Sequence, residues 1–228
     1  VIPILRFILL KKTNPPLLVL RLLVIFYIMH PGMNQRKVKR ERKTKETRVN
    51  VEVNFDAPGK IAIESGVPFL DHLLHSMAFH GNFSLVIKAG GDIEVDAHHV
   101  VEDTGLVFGD TLAALAAENK AIARFGHAVI PMDEALSEVA IDVCGRPTCV
   151  YDVNFPQHTV GTFDLHLLRE FFFALAGRAK ISIHAQTRNG KNSHHMAESL
   201  FKALGKALGR AYAYNEKTAN ISTKGTIS

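Results

Sequence analysis

Two short stretches of the chain carry the same chemistry-bearing pattern: His98-His99-x-x-Glu102 and His194-His195-x-x-Glu198, set 96 residues apart. On a helix, positions i and i+4 lie about 40° apart around the axis, while i+1 is turned by about 100°. His98 and Glu102 can therefore address one point while His99 addresses another, and His194, Glu198 and His195 repeat the arrangement. One helix can serve two metal ions. Two apolar segments of helical spacing, residues 68–81 and 165–179, set His72 opposite Glu170. Five imidazoles and three carboxylates suit a borderline ion such as manganese, iron or zinc better than magnesium or calcium. A single histidine ordinarily packs or faces solvent, as expected for His75, His80, His127, His158, His166 and His184. Two identical units at helix starts are better explained by ligation. A closed structural site favours cysteine-rich four-coordination, and only Cys144 and Cys149 are present.

The repeat extends beyond the histidines. Gly109 matches Gly205 and Leu112 matches Leu208 at the same offset, and internal duplication of this kind sets the architecture before any single residue is read. Strand-like runs at 48–55 and 60–65 precede the first apolar helix, and runs at 137–144 and 148–155 precede the second. One more strand, at 83–90 or 180–187, leads to each HHxxE helix. The order strand-strand-helix-strand-helix, given twice, predicts an α+β protein of two pseudo-symmetric halves, each a two-layer sandwich. The expected division is residues 48–125 for the first half and 126–228 for the second, joined near Gly126 to Pro131. Each half is too small to bury a large core alone, so the halves are expected to pack together and to oligomerise.

Of the 228 residues, 47% are hydrophobic and 21% charged, which excludes a disordered chain, a collagen and a disulfide scaffold. The formal charge of +5 is unevenly placed. Residues 1–48 hold 12 of the 27 Lys+Arg and 2 of the 22 Asp+Glu, so the remainder is acidic and a nucleic-acid partner is not expected. Residues 1–47 are read as an extension outside the fold, its run from Arg36 to Lys45 a solvated arm. The apolar stretch 17–29 contains Arg21 and is shorter than the ~20 residues a spanning helix needs, so no membrane partner is expected either. Residues 1–32 are read as an over-extended start, with the native chain opening at Met33. Basic residues beside turn signals, Arg124, Arg146, Lys202 and Lys224, together with Ser222, could hold a phosphate monoester through charge-assisted bonds. From residues alone the chain is a metal enzyme acting on a phosphorylated anion; a lyase, a dinuclear hydrolase and a metal-stapled binding module all remain open.

The segments GVPFLDHLLHSMAFHG, DAHHVVEDTG, PMDEALSEVAIDVCGRP, GKNSHHMAESLFKAL and STKG, taken in order, resemble the imidazoleglycerol-phosphate dehydratases of histidine biosynthesis, from about residue 44 to residue 225. The resemblance implies a lyase that converts D-erythro-imidazoleglycerol phosphate to imidazole acetol phosphate and water, with two Mn2+ per active site, in a cage-like homo-oligomer of 24 subunits; a cytoplasmic location is expected from the two cysteines, which suit a reducing cytosol. It implies His72, His98, His99, Glu102, Glu170, His194, His195 and Glu198 as metal ligands, with Glu170 standing where many relatives carry His. It implies phosphate contacts from Arg124, Arg146, Lys202, Ser222 and Lys224, and places Glu46 near the substrate.

That chemistry has a physical logic. The proton to be removed sits on a carbon beside an imidazole, with no carbonyl to take up the electrons, so the ring must become the sink. Lewis-acidic metals on the ring nitrogens would stabilise an imidazolate as the neighbouring hydroxyl leaves. A carboxylate would take the carbon-bound proton, Glu198 first and Glu102 as its pseudo-symmetric alternative.

Overall fold

Period-two alternation builds the two main sheets of the computed structural model, which describes residues 36–118 and 121–215. In the strand Thr47–Asn54, Val49, Val51 and Val53 are buried while Arg48, Asn50 and Glu52 take the other face. The first sheet comprises β1 (Lys37–Lys43), β2 (Thr47–Asn54), β3 (Ile61–Glu64) and β4 (Ser84–Gly91), in the order β1-β2-β4-β3. β1 and β4 both run antiparallel to β2, and β3 runs parallel to β4. The second sheet repeats this layout with β5 (Phe125–Met132), β6 (Ala135–Asp142), β7 (Thr148–Asp152) and β10 (Ser182–Asn189), in the order β5-β6-β10-β7. Only the small hairpin of β8 (Thr159–Val160) and β9 (Phe163–Asp164) has no counterpart among the described strands of the first half.

Helices α1 (Pro68–Gly81) and α2 (His98–Glu118) belong to the first half, and α3 (His166–Ala179) and α4 (Ser193–Ala211) to the second. The parallel pairs β3–β4 and β7–β10 are bridged by α1 and α3, as a parallel connection requires. Each half is thus an α+β sandwich, and the helices of one half pack on those of the other, α1 against α4 and α2 against α3. The repeated glycines sit at these two contacts. A Cβ at Gly109 would lie 2.7 Å from the Arg178 Cβ, and one at Gly205 would overlap the Met77 carbonyl. A single buried cluster, from Val49 and Leu85 through Leu112 and Phe171 to Leu204, runs through both halves.

Each sheet opens with an edge strand beyond the order read from sequence, and in the first half this corrects the reading of the basic run. The segment from Arg36 to Lys45, expected as a solvated arm in an extension outside the fold, contributes β1. Its Val38 is buried, and Arg36 is buried in an ion pair with Asp56 while donating to the Tyr212 carbonyl at 2.5 Å. Edge strands accept such charge because one face and one ladder remain in solvent. The stretch read as a joint, Gly126 to Pro131, lies within β5, where an edge position tolerates the missing Pro131 N–H. Among the described residues no helix is long and apolar enough to cross a membrane. The apolar stretch 17–29, the proposed start at Met33, Ser222 and Lys224 all lie outside the described residues.

Candidate metal centre

The N-terminus of α4 is fixed by Asn192, whose side chain accepts from the His194 N–H at 2.9 Å. One turn of helix then brings His194 and Glu198 together, with His194 Nε2 3.4 Å from Glu198 Oε2. Because α1 packs on α4, His72 arrives at the same carboxylate, its Nε2 3.2 Å from Glu198 Oε2. Ligand atoms of His72, His194 and Glu198 all lie within 4.8 Å of one another. Two imidazoles and one carboxylate at this spacing are a donor set that a divalent borderline ion fits.

Lys202 completes the surroundings, its Nζ 3.0 Å from the other oxygen of Glu198. Burial alone would raise the Glu198 carboxyl; Lys202 and His72 outweigh it and hold the group below its ordinary value. The ring of Phe69 stands 5.2 Å from that of His194 and 5.5 Å from Phe163, closing one side of the cluster. Beyond it opens a groove of ≈ 550 Å³ between the α1 entry at Gly66–Phe69, the loop before α2, and the β8–β9 hairpin.

The adjacent histidine of each pair faces elsewhere, as helix geometry requires. The His98 and His99 rings stand at 83° to each other, and so do those of His194 and His195. His99 Nδ1 meets Asp92 at 3.1 Å and lies 3.8 Å from Glu46 in the β1–β2 turn. His195 Nδ1 meets Glu134, in the β5–β6 turn, at 2.9 Å. These hydrogen bonds, chiefly, raise both imidazoles above their ordinary values. Glu134 is held down to about 2 by His195 and by the backbone N–H groups of Lys191 and Asn192. Asp92 and Glu134 were not among the residues read from sequence. Glu134 sits inside the segment PMDEALSEVAIDVCGRP and Asp92 four residues before DAHHVVEDTG, but nothing in the spacing marks either.

The pseudo-symmetric set is open. His98 Nε2 reaches Glu102 at 3.6 Å, but Glu170 on α3 is paired with Arg169 at 3.3 Å and His166 at 3.7 Å. Among the described residues only His72, His194 and Glu198 gather as a ligand group.

The basic residues divide likewise. Lys202 stands at the cluster, whereas Arg124 and Arg146 lie at the far end of the second sheet. Arg124 precedes β5 and makes a two-pronged pair with Asp142 at 2.7 and 3.2 Å. Arg146 is exposed in the β6–β7 turn. β5 is eight residues long, so at ~3.4 Å each about 27 Å separates its Arg124 end from the turn that holds the start of α4.

The imidazoleglycerol-phosphate dehydratase family profile matches residues 65–208. The Acidithiobacillus ferrooxidans imidazoleglycerol-phosphate dehydratase is 44% identical over 198 residues, covering 86% of this chain and all of that protein. The Chromobacterium violaceum enzyme of the same name is 46% identical over 82% of this chain and 96% of its own length. Among solved structures, the Staphylococcus aureus imidazoleglycerol-phosphate dehydratase superposes with a TM-score of 0.71 at 36% identity, covering 78% of this chain and 99% of that one. The Pyrococcus furiosus enzyme, solved in complex with (S)-C348, gives the same TM-score and identity over 82% of this chain and 99% of its own. Profile and relatives agree over the segment that carries the histidine units, and the chain belongs to the imidazoleglycerol-phosphate dehydratase family, hydro-lyases of histidine biosynthesis.

Proposed function

We propose that the chain dehydrates D-erythro-imidazoleglycerol phosphate to imidazole acetol phosphate in the cytoplasm, using two Mn2+ per site. The observation that carries this reading is the gathering of His72, His194 and Glu198 at the helix contact between the halves, in a chain of this family. His72, His194 and Glu198 would hold one ion, and His98, Glu102 and Glu170 the pseudo-symmetric one, with His99 and His195 supplying further imidazoles. When bound, the ions supply Lewis acidity to the substrate ring.

The remaining work falls to the chain's own groups. Glu198 takes the carbon-bound proton, with Glu102 as the alternative, and Lys202 keeps Glu198 ionised until the substrate arrives. Glu46, 59% exposed and 3.8 Å from His99, contacts the substrate from the β1–β2 turn. Arg124, Arg146, Lys202, Ser222 and Lys224 bind the phosphate. One small substrate cannot reach both His194, at the start of α4, and the two arginines across about 27 Å. That distance supports a site completed by a neighbouring copy, in a homo-oligomer of 24 subunits. The unbridged Cys144 and Cys149 fit a reducing compartment.

The test is a dehydration assay on the purified chain, stripped with chelator and resupplied with Mn2+. Activity lost on stripping and restored by Mn2+ is the expected result. Release of inorganic phosphate in place of imidazole acetol phosphate would make the protein a phosphoester hydrolase. Full manganese occupancy without turnover would reduce it to a binding module.

A further inference from the structure

We infer that Asp92 and Glu134 are positioning residues, each holding the Nδ1–H of the second histidine of a pair so that its Nε2 lone pair is presented for a metal; this rests on the metal-enzyme reading above. The geometry is the same in both halves. His99 Nδ1 lies 3.2 and 3.1 Å from the two Asp92 oxygens, and His195 Nδ1 lies 2.9 Å from Glu134 Oε2. An ionised carboxylate can only accept, so the facing ring nitrogen must carry the proton, and in the neutral ring that a metal needs the lone pair is then on Nε2. Among the described residues, His195 Nε2 has only longer contacts, to Asn192 Nδ2 at 3.5 Å and Asp133 Oδ2 at 3.7 Å.

The two carboxylates are not copies of one another. Asp92 follows β4 directly and lies seven residues before its histidine, whereas Glu134 sits in the β5–β6 turn, 61 residues before its own. The doubled helices inherited the histidines together, yet the acceptors for Nδ1 come from different loops. A chance surface ion pair gives no reason for the same ring atom to be met twice from unrelated positions. A need for the Nδ1–H tautomer does.

Glu134 has a second task. Its Oε1 accepts from the backbone N–H groups of Lys191 at 3.0 Å and Asn192 at 2.8 Å, so it also fixes the loop that starts α4. Asp92 makes no such backbone contact among the described hydrogen bonds, which makes it the cleaner probe.

The experiment compares the full chain with Asp92→Ala, Asp92→Asn and Glu134→Gln, the last keeping a side-chain oxygen for the loop. Solid-state 15N spectra of histidine-labelled, metal-free protein read the tautomers, Mn2+ titration reads affinity, and the metal-free melting temperature reads the fold. At alkaline pH, above the raised imidazole values, the parent should place His99 and His195 in the Nδ1–H form. Each variant should lose that signature at its own histidine only, and bind Mn2+ about 10–100-fold more weakly, with Asp92→Ala melting as the parent does. Unchanged tautomers together with affinities within twofold of the parent would overturn the assignment. A parent that binds Mn2+ and responds in this way but does not dehydrate the substrate overturns the proposed reaction and leaves the assignment standing. A parent that takes up no Mn2+ overturns both.

Discussion

The two triads produced by duplication, His72–His194–Glu198 and Glu170–His98–Glu102, occupy matching places on matching helices and differ in how far they close. In the first, an imidazole on the crossing helix faces a carboxylate whose side chain is 12% exposed, and both histidines point Nε2 at the same oxygen. In the second, the crossing helix presents a carboxylate instead, Glu102 is 44% exposed, and Glu170 turns to Arg169 and His166. Replacing His by Glu at one of six positions changes the charge arithmetic. His72 brings a donor to Glu198, whereas Glu170 would add a second negative charge beside Glu102 and pairs with Arg169 and His166 instead. Equivalent backbone positions therefore do not make equivalent sites; the residue contributed by the crossing helix decides which triad is formed within a single chain.

The sharpest way to break this comparison is to remove charge from each carboxylate in turn. Glu198→Gln should lower turnover by about 10²–10⁴-fold if Glu198 is the base, while Glu102→Gln retains substantially more activity. Turnover within a few-fold of the parent in Glu198→Gln would transfer the role to Glu102. Bound manganese has to be measured on the same samples, because Glu198 also sits among the ligands and loss of metal would mimic loss of the base.

What could be read from sequence divides along the same physical lines. The helical pairs were legible because i, i+4 spacing is a rigid ruler, and His98–Glu102 and His194–Glu198 do meet across one turn; the crossing of His72 to the second pair was not, because it depends on how α1 packs on α4. The sandwich was legible because Val49, Val51 and Val53 alternate cleanly. β1 was not, since only Val38 of its seven residues is buried and its remaining charges read as a solvated tail. The acceptors for His99 and His195 were hidden for a different reason: a loop carboxylate reaches its target through turn geometry, which has no fixed period. Nor did Arg124 announce Asp142, which meets it across the β5–β6 ladder.

Arg124 invites a second comparison, because Arg36 takes the same place before β1 that Arg124 takes before β5. Both pair with an aspartate near the end of the next strand, but the Arg36–Asp56 side chains are 6% and 10% exposed against 19% and 25% for Arg124–Asp142. Removing one partner of a buried pair strands the other charge, so Asp56→Asn should cost about 3–5 kcal/mol in a urea melt. Asp142→Asn should cost about 1 kcal/mol or less. The pH dependence carries the same contrast. Burial pushes the Asp56 carboxyl up, but Arg36 outweighs this and lowers it below its ordinary 3.8. A carboxyl lowered on folding stabilises the protein above its ordinary value, and that contribution is lost as pH falls through the lowered one. Asp56→Asn should therefore flatten the acid limb of stability below about pH 4. Equal costs at both pairs would mean that the arginines serve the same structural purpose.

Single methyl groups test the helix contacts that bring the two halves together. At Gly205 a methyl would overlap the Met77 carbonyl, with the Met77 carbonyl carbon at 2.8 Å, so neither backbone can yield without moving α1 from α4. At Gly109 the nearest atom is the Arg178 Cβ at 2.7 Å, followed by the Ala179 N and Leu175 O at 2.9 Å. Alanine gains about 1 kcal/mol of helix propensity over glycine at any such position. Against that gain, overpacking costs about 1–3 kcal/mol, more where rigid backbone is struck. Gly205→Ala should therefore be the more destabilising, and it should also loosen the His72–Glu198 contact, which depends on how closely α1 approaches α4. Gly177→Ala on α3, with nothing within 4 Å of the added carbon, should stabilise by the propensity gain alone and serves as the control. If all three variants melt at the same urea concentration, close approach of the helices is not what the repeated glycines provide, and the matching places of the two triads need another cause.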